Sequence, residues 1–97
     1  MYRTTILVAI ISLSTVVCGH AQTGLASYYG GRGGGMTCAH RTSPMGSVLT
    51  VSHGGRSIQC RVNDRGPFVH GRIIDLSISA ARALGMMGAG VVPVSVN

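Results

Sequence analysis

Acidic side chains are almost missing from this 97-residue chain: it has no Glu, and its two Asp are Asp64 and Asp75. Any acid–base chemistry run by a carboxyl group must therefore use one of these two. Lysine is absent as well, so all eight basic side chains are Arg and the net charge is +6. Trp is absent and aromatics make up only 4% of the chain. With so few aromatics and no nucleic-acid-binding signature, a nucleic acid is a poor match for that positive charge. Long apolar runs are missing too. The stretch Ile6 to Val17 has nine apolar residues in twelve, which is too short to span a bilayer as a helix. The length allows one domain at most.

What is present at the N-terminus is an export pattern. A basic start at Arg3, the short apolar centre and the small-residue exit Gly19-His20-Ala21 read as a secretory signal peptide over residues 1–21. The domain is then expected over residues 22–97, with no transmembrane segment in the mature chain. Export to the periplasm or beyond follows. Lipid attachment at Cys18, giving an outer-membrane lipoprotein, is the weaker alternative, because the bulky Val16-Val17 pair precedes that cysteine. The remaining chain carries seven Arg against two Asp. In an exported protein this points to cell-wall glycan, whose muramic acid units carry carboxylates.

A domain this small buries little core and benefits from a staple. Cys38 and Cys60 are the cysteines left after the leader, and an exported chain meets an oxidising compartment. A disulfide between them would close a loop of about 23 residues, worth roughly 3 kcal/mol by chain entropy. The rival is a metal site built on Cys38, His40 and Cys60. The tight C-x-x-C pairs usual in such sites are missing, so the disulfide is preferred and no metal or cofactor is expected.

Along the chain, Gly24–Tyr29 reads as a first strand, followed by the glycine loop Gly30–Gly35. Thr37–Thr42 reads as a second strand. Val48–Ser52 and Ser57–Asn63 pair as a hairpin across His53-Gly54-Gly55, with Ile58, Cys60 and Val62 on one face. Asp64-Arg65-Gly66-Pro67 is a turn by residue type. Arg72–Leu76 is a further strand, and Ser77 caps a helix Ile78–Leu84 that Gly85 ends. Val91–Val96 is the last strand, and Pro93 suggests an edge position. Short strands, glycine turns and a single helix describe a mainly β chain, a small closed or nearly closed barrel.

Five segments follow one another in a specific order: GLASYYG at 24–30, AHRT at 39–42, GRS at 55–57, VNDRGPF at 62–68 and GRIIDLS at 71–77. In this order and spacing they resemble the rare lipoprotein A family of bacterial cell-envelope proteins. The resemblance implies a six-stranded double-psi β-barrel with one short helix. It also implies endolytic lytic transglycosylase activity on peptidoglycan, with a preference for glycan strands without stem peptides. Cell-division or envelope proteins are the partners it suggests besides the glycan.

Carried over by position, the resemblance puts the catalytic Asp on Asp64 and the catalytic His on His40. One carboxyl can serve such a reaction twice, first as the acid and then, once deprotonated, as the base. That differs from the two flanking carboxylates of ordinary glycosidases, and it suits a chain this poor in acids. An apolar wall from Pro67 and Phe68 would help Asp64 hold its proton, whereas Arg61 and Arg65 would oppose this unless they point elsewhere. His40 could hydrogen-bond Asp64 or the substrate. Asp75, Arg41, Arg65, Arg72 and Tyr29 are the candidate substrate-binding residues. Asp75 has a second role open to it, since with Ser77 it stands just before a helix, where free N–H groups need acceptors.

The chain departs from the family in the segment before His40. There, relatives carry a longer stretch with a Glu, and this sequence has only Gly30–Met36. No septal peptidoglycan-binding repeat follows the barrel within these residues, so targeting is expected from the barrel or a partner. A non-catalytic glycan-binding or expansin-like wall-loosening module is the alternative function.

Overall fold

The computed structural model describes residues 21–30 and 34–97. The expected leader, apart from Ala21, lies outside the described residues, as does Cys18. The elements in chain order are β1 (Gln22–Tyr28), β2 (Thr37–Ala39), β3 (Val48–His53), β4 (Arg56–Asp64), β5 (Arg72–Leu76), α1 (Ile78–Leu84) and β6 (Val92–Val96). The strands close into a barrel in the order β1-β5-β2-β4-β3-β6. Two neighbouring pairs, β1 with β5 and β2 with β4, run parallel, and the other four are antiparallel. This is the six-stranded double-psi β-barrel that the resemblance implies.

Alternating residues build the interior. In β4, Cys60 and Val62 are buried while Gln59, Arg61 and Asn63 are exposed; in β6, Val92, Val94 and Val96 point inward. The helix lays Ala80, Ala81 and Leu84 on the same apolar cluster. Ser77 caps it by accepting the Ala80 N–H at 3.2 Å, and Gly85 ends it in the left-handed conformation at φ 82°. Arg56 donates to the Ala83 carbonyl at 3.4 Å, close to that end. The hairpin turn Gly54-Gly55 has φ 55° and 87°, the positive pair a two-residue type I′ connection demands.

Cys38 and Cys60 form a disulfide with Cα atoms 5.7 Å apart, and both are buried. That leaves neither thiol for the rival metal site. Among the described residues no group of three or more His, Cys, Asp or Glu is arranged to hold a metal ion, and no helix is long and apolar enough to cross a membrane.

Two expectations change. The second strand stops at Ala39 rather than Thr42, because the His40 ring takes the backbone N–H groups of Ser43 (3.1 Å) and Thr42 (3.4 Å) and turns the chain. Pro93 is not on an edge strand, since β6 pairs with both β1 and β3. Closure leaves no edge, but β3 pairs only with Ser95 and Val96 of that strand. At Pro93 no ladder bond to β3 is needed, so the missing N–H costs nothing there.

Candidate active site

The parallel pairs each contain a register slip, and the two slips line up the carboxylates. Between Leu25 and Ala26 the β1–β5 register jumps by one, which sets Ser27 opposite Asp75. Between Cys38 and Ala39 the β2–β4 register jumps likewise, so that Asp64 rather than Asn63 faces Ala39. Ala39 also pairs with Asp75 on its other side. The result is a row, Ser27–Asp75–Ala39–Asp64, running across four adjacent strands. Bulges re-aim side chains in this way next to functional sites. Two strand spacings put the Cα atoms of Asp64 and Asp75 about 10 Å apart.

Asp64 is the exposed member of the row, at the last position of β4. Its carboxylate accepts the Arg65 backbone N–H at 2.8 Å, and its carbonyl accepts the His40 N–H at 3.2 Å. The neighbouring guanidinium groups do point elsewhere. Arg65 Nη1 donates to the Ser43 and His40 carbonyls at 2.5 and 3.1 Å, and Arg61 Nη1 reaches the Gly46 carbonyl at 3.4 Å. The expected apolar wall is split: Pro67 is buried after a cis peptide bond, whereas Phe68 is 76% exposed beside it.

His40 is buried, 5% exposed, and its ring does not reach the Asp64 carboxylate. Nδ1 accepts the two backbone N–H groups, which fixes the proton on Nε2, and Nε2 donates to Gln22 Oε1 at 2.8 Å. Burial first, then the Arg65 and Arg41 charges, hold the ring's pKa below its ordinary value. The neutral ring this favours is the form whose Nδ1 can accept.

Asp75 is half-buried and accepts a hydrogen bond from Ser27 Oγ. The helix N-terminus is served by Ser77 instead, whose hydroxyl also accepts the Thr37 N–H and donates to the Gly35 carbonyl. Arg41 is exposed, but its guanidinium folds back onto the main chain. Its Nε donates to the Pro67 carbonyl at 2.6 Å, and its Nη2 to those of Arg72 at 2.9 Å and Val69 at 3.4 Å. Arg72 is half-buried at the start of β5. Tyr28 packs on the core and donates to the Met87 carbonyl at 3.1 Å, while the half-buried Tyr29 gives its N–H to the Leu76 carbonyl at 3.0 Å.

A cleft of about 820 Å³ opens at the other end of the molecule between Thr23–Leu25, the 52–57 hairpin and Pro93–Ser95. It contains no carboxylate. Arg56 on its rim and Asp64 stand at opposite ends of β4, about 26 Å apart by strand rise. Both carboxylates stand in the row, and neither lines this cleft.

A family model described as lytic transglycolase matches residues 21–96. The chain belongs to that family. A probable endolytic peptidoglycan transglycosylase RlpA from Nostoc sp. is 47% identical over 92 residues, covering 76% of this chain and 24% of the relative. The endolytic peptidoglycan transglycosylase RlpA of Campylobacter jejuni is 40% identical over 96 residues, covering 84% and 35%. The chain thus spans about a quarter to a third of the length of these curated relatives. Among solved structures, the Streptomyces papain inhibitor superposes with a TM-score of 0.67 at 27% identity, covering 81% of this chain and 94% of its own.

Within this lytic transglycolase domain, two site residues escape a reading of the sequence. Ser27 gains its place only through the register slip, and Gln22 only through barrel closure that carries β1 past His40. Neither signal is local.

Proposed function

We propose that this domain cleaves peptidoglycan glycan strands by lytic transglycosylation, with Asp64 as both acid and base. The observation that carries this reading is the exposed carboxylate at the mouth of β4, held by one N–H while the nearby guanidinium groups are turned onto main-chain carbonyls. Asp64 donates its proton to the glycosidic oxygen as the bond from C1 of the N-acetylmuramic acid unit breaks. The resulting carboxylate then takes the proton of that unit's C6 hydroxyl. The C6 oxygen bonds to C1, closing a 1,6-anhydro ring, and no water is consumed. Asp64 ends protonated and ready for another cycle.

His40 supports this step from behind, through its N–H on the Asp64 carbonyl and its fixed neutral ring. Asp75, positioned by Ser27, lines the same row and contacts the sugar. Tyr29 and Arg72 are further glycan contacts, and strands without stem peptides fit best. The reaction takes place outside the cytoplasm, where this substrate is, after the leader has been removed. Incubating the domain with glycan strands stripped of stem peptides, then reading products by mass spectrometry, tests the proposal. New 1,6-anhydro-muramic ends support it; glycan that pellets with the protein yet gains no such ends would make it a binding module.

A further inference from the structure

The two loops beside Asp64 exchange arginines. Arg41, in the loop after β2, reaches across to the carbonyls of Pro67 and Val69 in the loop after β4 and of Arg72 at the start of β5. Arg65, in the loop after β4, reaches back to the carbonyls of His40 and Ser43. Asp64 lies between these crossings, with its carbonyl on the His40 N–H and its carboxylate on the N–H of Arg65 itself. We infer that Arg41 and Arg65 are positioning residues, a reciprocal clamp that fixes the Asp64 turn, and that they are not glycan ligands.

The chemistry of the side chain supports this assignment. A guanidinium is planar and always charged, with five N–H donors in a fixed fork. It can hold two or three carbonyls of one loop at set angles, which a lysine ammonium on a flexible stem does not do. In Arg41 three N–H donors already face main-chain oxygens, and an anionic sugar would have to break those bonds to claim them. Irregular loops leave carbonyls without ladder partners, and here those of Pro67, His40 and Ser43 take the opposite loop's arginine, while the Val69 carbonyl accepts the Arg72 N–H as well. The turn bearing the acid is thereby tied to the one strand terminus that also carries His40. A shift of the acid by even an ångström is costly in rate, which is what such a clamp prevents.

This inference rests on the proposed activity for its kinetic consequence, though not for its physical one. The test uses the full chain with Arg41→Lys and Arg65→Lys, both of which keep the charge and remove the fork. In each variant, formation of anhydro ends at saturating glycan should fall about 10–100-fold, while the glycan concentration for half-maximal rate stays within about threefold. Amide hydrogen exchange at Arg65, whose N–H serves the Asp64 carboxylate, should speed up in both. A raised half-saturation concentration with the maximal rate kept would overturn the clamp and restore the arginines as glycan ligands. Unchanged exchange at Arg65 in both variants would overturn it as well. If the wild type makes no anhydro ends, the proposed activity fails alone, and the exchange measurement still decides the clamp. Should one variant not fold, the other tests the same clamp from the opposite loop.

Discussion

His40 shows how a single side chain can shape a site without entering it. Its ring takes two backbone N–H groups on one side and gives its proton to Gln22 on the other. Protonation would cost Nδ1 its acceptor role, and burial with the charges of Arg65 and Arg41 opposes it further. The folded pKa therefore lies below the unfolded value of about 6.5. The unfolded chain binds the extra proton first, so this contribution to stability is complete above about 6.5 and is lost as pH falls through the lower folded value. Thermal melts should show the wild type losing stability between about pH 7 and pH 5 more steeply than His40→Gln; parallel curves would contradict this. Asp64 was legible as a candidate at this scale because acids are so scarce. Ser27, Gln22 and the inward grip of Arg41 and Arg65 were not, since each depends on a partner at least 18 residues away in sequence.

Among the elements, the helix was the most readable, because Ser77 and Gly85 act within a turn of their own positions and local chemistry settles their roles. The strands were harder. β2 lost its second half to the His40 ring, and the slips that align Asp75 and Asp64 arise from pairing between segments distant in sequence. Close packing of β1 on β5 also leaves no room at Gly24. A Cβ there would sit 2.7 Å from Ile73 Cγ2 and 3.2 Å from the Gly71 carbonyl oxygen. Ile73 is β-branched and stiff, so it yields little. Gly24→Ala should cost about 1–3 kcal/mol, read as a lowered urea midpoint at unchanged slope. Gly30→Ala, where a Cβ meets nothing within 4 Å, should move the midpoint far less.

At the scale of the whole molecule, closure and the disulfide do what a large core does in bigger domains. The bridge spans a sequence separation of 22 and joins the neighbouring strands β2 and β4 from the inside. Replacing both cysteines by Ala should cost roughly 3 kcal/mol by chain entropy, and the denaturation midpoint should drop accordingly. The strand and turn pattern already pointed to a closed or nearly closed barrel, whereas the six-stranded double-psi form was within reach only through family resemblance. Closure also separates the molecule into two ends, with the wide apolar cleft at one and the acid row at the other. The claim that the second end is catalytic rests on one carboxyl group. The direct measurement compares wild type with Asp64→Asn on glycan strands stripped of stem peptides, following 1,6-anhydro-muramic ends with time and glycan binding in parallel. The account predicts a fall of about 10²–10⁴-fold in the rate of end formation with binding and melting temperature preserved. Equal rates in the two proteins would contradict it.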